Sequence, residues 1–234
     1  MVILACDSSA KPCSVAILDG EKLVYQSFLN NKLTHSETLM PMIENALSLS
    51  GYDLSKIDAI AISKGPGSFT GVRIGVSAVK GIAMGRNIPC IGVSTLKSMA
   101  YNHKNCQKVI CSVMDARRDQ VYNGIFEFSH GILKVIEDDR AVSLDELKAE
   151  LSKIEKDIIL VGDGADLCYN YMKELSNLSI AEENVKYQNG YGVGLCAIEA
   201  YKNGEYDDFR TLVPGYLRKS QAQRELEEKE KRNV

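Results

Sequence analysis

Residues 2–29 read VILACDSSAKPCSVAILDGEKLVYQSFL, three short apolar runs set apart by turn chemistry. The first, 2–7 (VILACD), has the length and unbroken apolarity of a strand covered on both faces. The second, 13–18 (CSVAIL), repeats that character. Asp19-Gly20 after it is a hairpin signal, because both residues tolerate positive φ. The third, 22–29 (KLVYQSFL), alternates polar and apolar side chains over part of its length, as a strand with one wet face does. Three strands joined by short turns predict an antiparallel meander.

Past the meander the period changes. Leu39, Ile43, Ala46 and Leu47 recur at helical spacing within 36–50, with Ser36 as candidate cap, Pro41 near the first turn and Gly51 as stop. Residues 57–62 (IDAIAI) predict a buried strand and 69–86 a second helix ending near Gly85, before Pro89. Residues 90–93 (CIGV) predict another strand, and a helix opens near Ser94 or Thr95. The order β-β-β-α-β-α-β-α is that of a ribonuclease-H-like domain, a meander extended by parallel strands with crossover helices.

The second half restarts the pattern. Runs 108–114 (KVICSVM), 119–128 (DQVYNGIFEF) and 132–136 (ILKVI) predict three strands, with a turn at Ser129-His130-Gly131. A helix at 143–152, a strand at 158–162 (IILVG) and helices at 165–175 and 192–202 follow. The fold class is therefore α/β with the meander present twice, and the second copy lacks one clear strand–helix unit.

The segment 63–85, SKGPGSFTGVRIGVSAVKGIAMG, joins the strand 57–62 to the second helix. Gly65-Pro66-Gly67 is a structural glycine loop: the glycines permit positive φ and Pro66 fixes its own. Ser68 or Thr70 can cap the helix. Such a loop also presents unpaired amides suited to an anion, although the G-x-x-x-x-G-K-[ST] spacing is absent. A plain turn and a phosphate contact both remain open. On the helix, Gly71, Gly75, Ala78, Gly81 and Gly85 recur on one face. Each interior glycine costs about 1 kcal/mol against alanine, so close packing must offset it. Internal helix packing is one reading. The other is a partner interface made by Leu39, Ile43 and Leu47 of the first helix with Gly71, Gly75, Ala78 and Ile82 of the second.

Composition excludes several classes. The chain has 234 residues and a formal net charge of −3, with 45% hydrophobic and 25% charged residues. Length and composition fit two small lobes of a globular protein. The charge speaks against a self-sufficient nucleic-acid binder. No apolar run reaches membrane-span length, and the start lacks a basic, signal-type n-region, so a non-secreted, cytoplasmic chain is expected. Seven scattered cysteines without a C-x-x-C read as reduced core thiols. His35, His103 and His130 stand far apart, outside zinc-type spacing. Gly67-Ser68-Phe69-Thr70-Gly71 does not match a nucleophile elbow. The polar tail from Arg218 to Val234 reads as a solvated terminal helix or a segment ordered by a partner.

Taken in order, MVILACDSSAKPCSVAILD, THSETLMPMIENAL, DAIAISKGPGSFTGVRIGVSAVKGIA, MDARRDQVY and VPGYLR resemble the TsaB (YeaZ) family of bacterial threonylcarbamoyladenosine biosynthesis proteins. The resemblance spans nearly the whole chain, and Gly65 to Gly75 is its most specific part. It implies two ribonuclease-H-like lobes of the acetate kinase, sugar kinase, Hsp70 and actin superfamily, the second lobe reduced. The implied division is 1–104 for the first lobe, joined by a returning helix near 190–204, then 105–189 for the second lobe and 205–234 for an extension.

The resemblance also implies a function: a non-catalytic scaffold and activating subunit, homodimeric when alone. Its partner TsaD, a larger paralogue, transfers threonylcarbamoyl to the adenosine beside the anticodon in tRNAs reading codons that begin with A. TsaE, a small ATPase, joins the complex, and tRNA is met mainly through it. No cofactor of its own is implied, although ATP and magnesium can enter the complex. The catalytic paralogue's metal-binding H-x-x-x-H falls on Thr95 and Met99 here, and neither replaces an imidazole. No catalytic residue and no metal ligand is therefore assigned.

In the superfamily, an acidic residue at the position of Asp7 lies near the nucleotide's metal and phosphates. Asp7, Ser8 and Ser9, with Gly162, Asp163 and Gly164 as a second phosphate loop, are thus candidate nucleotide contacts; ordinary turns are the other reading. Arg117 and Arg118, between Asp115 and Asp119, suit a salt-bridged hairpin or contact with RNA or a partner carboxylate. The competing functional class is a stand-alone ATP-binding kinase-like protein or ATPase.

Overall fold

The computed structural model describes residues 1–218. The meander is β1 (Val2–Asp7), β2 (Cys13–Asp19) and β3 (Lys22–Leu29). Then come α1 (His35–Ser50), β4 (Ala59–Gly65), α2 (Phe69–Arg86), β5 (Cys90–Ser94) and α3 (Thr95–Tyr101). The five strands form one sheet in the order β3-β2-β1-β4-β5. β1 pairs antiparallel with β2, Val2 opposite Asp19, and parallel with β4, Ile3 opposite Ala59.

Every residue of β1 is buried because β1 sits mid-sheet with helices on both faces. Period-2 alternation sends Leu4 and Cys6 toward α1 and α2, and Ile3 and Ala5 toward α3. The long apolar run 2–6 is thus a consequence of two-sided burial.

The second sheet contains β6 (Val109–Asp115), β7 (Gln120–Ser129), β8 (Ile132–Ser143), β9 (Ile158–Val161) and β10 (Leu178–Ile180), in the order β10-β9-β6-β7-β8. It reproduces the first topology: β6, like β1, has an antiparallel neighbour on one side and a parallel one on the other. Helices α4 (Leu144–Leu151) and α5 (Ala165–Tyr171) pack on one face, in a core of Leu147, Leu151, Leu160, Cys168 and Met172. The short α6 (Glu183–Lys186) precedes α7 (Gly190–Lys202). α7 returns to the first sheet, where the Gly190 amide donates to the Ser14 hydroxyl at 3.0 Å. Met99, Ala100, Val193 and Ala197 of α3 and α7 share one buried cluster with Ile3 and Ala16 of the first sheet and Ile110, Phe126 and Val161 of the second.

Several local expectations change. The fifth strand of the second copy is present as β10, only three residues long and too short to stand out from a polar context. β8 continues past 136 to Ser143, because Glu137, Arg140 and Ala141 pair with β7 on either side of an irregularity at Asp138 and Asp139. α5 ends at Tyr171 and not at 175. α1 starts one residue earlier than expected: Thr34 is its cap, and the Glu37 carboxylate accepts from the Thr34 amide at 2.9 Å in a capping box. Ser36 lies inside the first turn. Of the two candidate caps of α2, Ser68 takes the position, its hydroxyl accepting from the Gly71 amide at 3.3 Å, and Thr70 lies inside the first turn. The charged tail after Arg218 lies outside the described residues. Among those described, no helix is long and apolar enough to cross a membrane.

Candidate functional site

The two sheets face each other across a cleft of about 400 Å³. Ser9, Lys11 and the Gly67-Ser68-Phe69 turn line it from the first sheet, and Asp115, Arg117, Tyr122 and Asp163 from the second; residues 215–218 also reach it. The candidate nucleotide residues divide here. Ser9 and Asp163 reach the cleft. Asp7 and Ser8 are fully buried and do not line it.

Asp7 ends β1, and its carboxylate is occupied. Oδ1 accepts from the Ser9 amide at 2.9 Å and the Ser9 hydroxyl at 2.8 Å, and Oδ2 accepts from the Ser63 hydroxyl. Burial pushes the Asp7 carboxyl above its ordinary value, and the three donors pull the other way. The group ties the end of β1 to β4. The Ser8 hydroxyl donates to the Gly71 carbonyl at 2.9 Å and ties the same turn to α2.

Gly162 and Gly164 serve packing. A Cβ at Gly162 would meet the Val113 carbonyl oxygen at 2.1 Å, and one at Gly164 would meet the Asp115 amide at 3.1 Å. Asp163 between them accepts from the Gln188 side-chain amide at 3.1 Å. Burial pushes its carboxyl up to about 6, with the Asp115 and Asp7 charges adding to the rise.

The expected hairpin salt bridges are not formed. The Asp115 carboxylate accepts from the Arg117 amide at 2.7 Å, and Arg117 and Arg118 are in none of the ion pairs among the described residues. Arg117, Arg118 and Asp119 instead turn the chain with φ of 62, 57 and 56°. This left-handed run leaves both guanidinium groups exposed at the tip of the β6–β7 connection.

The interface set also divides. Leu39 and Ile43 are buried in the chain's own core with Ile60, Ile62 and Val76, so they present no surface. Gly71 and Gly75 are turned inward as well. A Cβ on Gly71 would meet the Ser8 carbonyl oxygen at 2.1 Å, and one on Gly75 the Ser8 Oγ at 2.3 Å and Ile62 Cδ1 at 2.8 Å. The small residues exist because the β1–β2 turn runs directly beneath α2. Leu47, Ile74, Ala78 and Ile82 are half-buried, and with the exposed Met40 they leave apolar surface on α1 and α2 outside that core.

The histidines and cysteines carry no evident chemistry. His35 Nε2–H donates to the Ala10 carbonyl at 2.7 Å and His103 Nε2–H to the Val185 carbonyl at 3.1 Å, while His130 sits beside Ser129 in the exposed β7–β8 turn. All seven thiols are free, and burial pushes those of Cys13 and Cys90 up to about 11. Thr95 and Met99 are wholly buried in α3. The described residues contain no cluster of three or more His, Cys, Asp or Glu suited to a metal.

Sequence reasoning missed the cleft's aromatic–cation corner. Tyr216 stacks on Phe69 with ring centroids 4.2 Å apart, and the Arg73 guanidinium lies 4.0 Å from the Phe69 centroid. Phe69 and Arg73 stand one helical turn apart on α2, but Tyr216 is distant in sequence, and no local pattern joins it to them. The only available signal was the run VPGYLR, which resembled the family without disclosing its place.

A family model described as TsaD, tRNA N6-adenosine threonylcarbamoyltransferase, matches residues 30–226. The Bacillus subtilis tRNA threonylcarbamoyladenosine biosynthesis protein TsaB is 30% identical, over 99% of this chain and 100% of its own length. The Escherichia coli protein of the same name is 32% identical, over 98% and 100%. Among solved structures, a Pseudomonas aeruginosa protein described as uncharacterized "with similarity to peptidase YEAZ" superimposes with a TM-score of 0.79 at 27% identity, covering 93% of this chain and 99% of that one. A Thermus thermophilus ROK hexokinase shares the fold at a TM-score of 0.54 and 11% identity, covering 87% and 100%.

Proposed function

The chain belongs to the TsaB family of tRNA threonylcarbamoyladenosine biosynthesis proteins, and from that premise we propose that it is the non-catalytic partner of a TsaD-type transferase. The observation that carries this reading is the apolar surface that Met40 and Leu47 of α1 and Ile74, Ala78 and Ile82 of α2 leave outside the chain's own core. Apolar side chains left at the surface of two neighbouring helices suit a partner. The same face serves self-association when the transferase is absent, so the two contacts exclude each other. TsaE and tRNA are met through the assembled complex, and any ATP and magnesium act there.

Two further observations favour a partner over an enzyme. The positions where the catalytic paralogue places its histidine pair, Thr95 and Met99, are core residues of α3. Asp7, the acidic residue a kinase-like site needs, already satisfies three donors, two from Ser9 in its own turn and one from Ser63 of β4. The competing reading, a stand-alone ATP-binding protein, requires heat of binding to the isolated chain at millimolar magnesium-ATP.

The deciding experiment is threonylcarbamoylation reconstituted from purified partners with and without this chain. Transfer to tRNA should depend on its presence, and transfer that proceeds equally well without it would end the proposal.

A further inference from the structure

Residues 212–218 are held by both lobes, but unequally. On the first lobe the hold has many parts. Leu212 is fully buried against the α1–α2 core, and its carbonyl accepts from Lys80 Nζ at 3.0 Å. The Gly215 amide donates to the Lys64 carbonyl of β4 at 2.6 Å. A Cβ on Gly65 would stand 2.3 Å from the Gly215 carbonyl oxygen, so the strap lies flat on the end of β4. Tyr216 stacks on Phe69 of α2, and its hydroxyl accepts from Arg73 Nε at 2.8 Å.

On the second lobe one hydrogen bond is made among the described residues: Arg218 Nη1 donates to the Ala116 carbonyl at 3.0 Å, in the β6–β7 connection. Between these anchors the segment runs along the cleft, where Gly215, Tyr216, Leu217 and Arg218 form part of the wall. The shared core of α3 and α7 joins the lobes elsewhere.

We propose that residues 212–218 are a latch that stays bound to the first lobe and fastens the second through Arg218, so that release of this one contact lets the cleft open. The asymmetry is the physical basis. A buried leucine, a stacked ring pair and a β4 hydrogen bond form one cooperative anchor, whereas one guanidinium–carbonyl bond beside an exposed turn opens at much lower cost. Its site, the Ala116 carbonyl, immediately precedes the three left-handed residues 117–119, which lie outside the strands in the exposed β6–β7 connection. This inference concerns the isolated chain and does not depend on the partner reading.

The test uses the full chain with nitroxide-bearing non-natural residues at the exposed positions Thr70 and Asp119, leaving the seven cysteines intact. Pulsed electron resonance should give a single distance distribution for the parent. Arg218→Ala should add a longer-distance population, while Arg218→Lys, which keeps a donor, restores the parent distribution in large part. Hydrogen exchange separates latch from core. In Arg218→Ala the Gly215 amide should keep its protection, and in Tyr216→Ala it should lose about tenfold. Unchanged distances in Arg218→Ala would overturn the proposal, the Tyr216→Ala/Arg218→Ala double variant showing whether the labels register a freed strap. So would loss of protection throughout both sheets in Arg218→Ala, since the segment would then be ordinary core.

Discussion

The Ser8 hydroxyl donates to the Gly71 carbonyl at 2.9 Å, and Gly75, one turn further along α2, sits over the same side chain. The first two glycines of α2, Gly71 and Gly75, are therefore fitted to the β1–β2 turn. A methyl group at Gly75 would stand 2.3 Å from Ser8 Oγ and 2.8 Å from Ile62 Cδ1. Gly75→Ala should destabilise by about 1–2 kcal/mol, because overpacking outweighs the gain of about 1 kcal/mol in helix propensity. Gly75→Leu should unfold the first lobe. Gly81, exposed with nothing within 4 Å of an added Cβ, should respond the opposite way, Gly81→Ala adding up to about 1 kcal/mol. Urea denaturation of the three variants checks this; equal effects at 75 and 81 would refute the packing account.

The outward stripe of α2 calls for a different substitution. Ala78 lies between Ile74 and Ile82 on that stripe and is half-buried. Ala78→Glu should weaken self-association and transferase binding by about 100-fold, or about 2.7 kcal/mol, while folding stability changes by less than about 1 kcal/mol. Ile132→Glu, at the 70%-exposed start of β8, is the control and should leave both unaffected. Sedimentation velocity and titration calorimetry measure the two. Wild-type association in Ala78→Glu would remove α2 from the interface.

Asp7 gives a third prediction. Its carboxylate holds three donors in a fully buried position. Asp7→Ala leaves them without an acceptor and should cost about 3 kcal/mol, with Asp7→Asn, which keeps one acceptor oxygen, costing less. Stability of Asp7→Ala within about 0.5 kcal/mol of the parent would contradict the structural role assigned to this residue.

The fourth concerns pH. Burial pushes the Asp163 carboxyl up to about 6, above its ordinary value near 4. The folded chain then holds this proton more tightly than the unfolded chain. The contribution to stability is full below about pH 4 and is lost as pH rises through about 6. Asp163→Asn removes the titration while its amide oxygen still accepts from Gln188. It should flatten the fall between pH 4 and 6 and raise stability at pH 7–8 by about 1–3 kcal/mol relative to the parent. Asp7 and Asp139 shift in the same direction, so part of the fall persists. Denaturation series at several pH values decide it; a steeper fall in Asp163→Asn has the wrong sign.

The sequence by itself determined the two meanders, the strand–helix alternation and a hydroxyl cap for α2 at Ser68 or Thr70. Each of these is carried by neighbours a few residues apart: apolar alternation for β1 to β3, a 3.6-residue period for α1 and α2, a hydroxyl before a helix start. It also carried the family resemblance, because the motifs are contiguous runs. It could not tell which face of α2 is inside. Gly71 and Gly75 look the same in the sequence whether they meet a second subunit or the chain's own Ser8, sixty-odd positions away. The strand β10 and the polar half of β8 were hidden for the converse reason, since their strand character comes from β9 and β7 beside them and not from their own side chains. Tertiary structure alone decided that Asp7 is saturated while Asp163 reaches the cleft, and that Phe69, Arg73 and Tyr216 form one cluster. Those are contacts between distant segments, fixed only when two sheets and a returning terminus pack together.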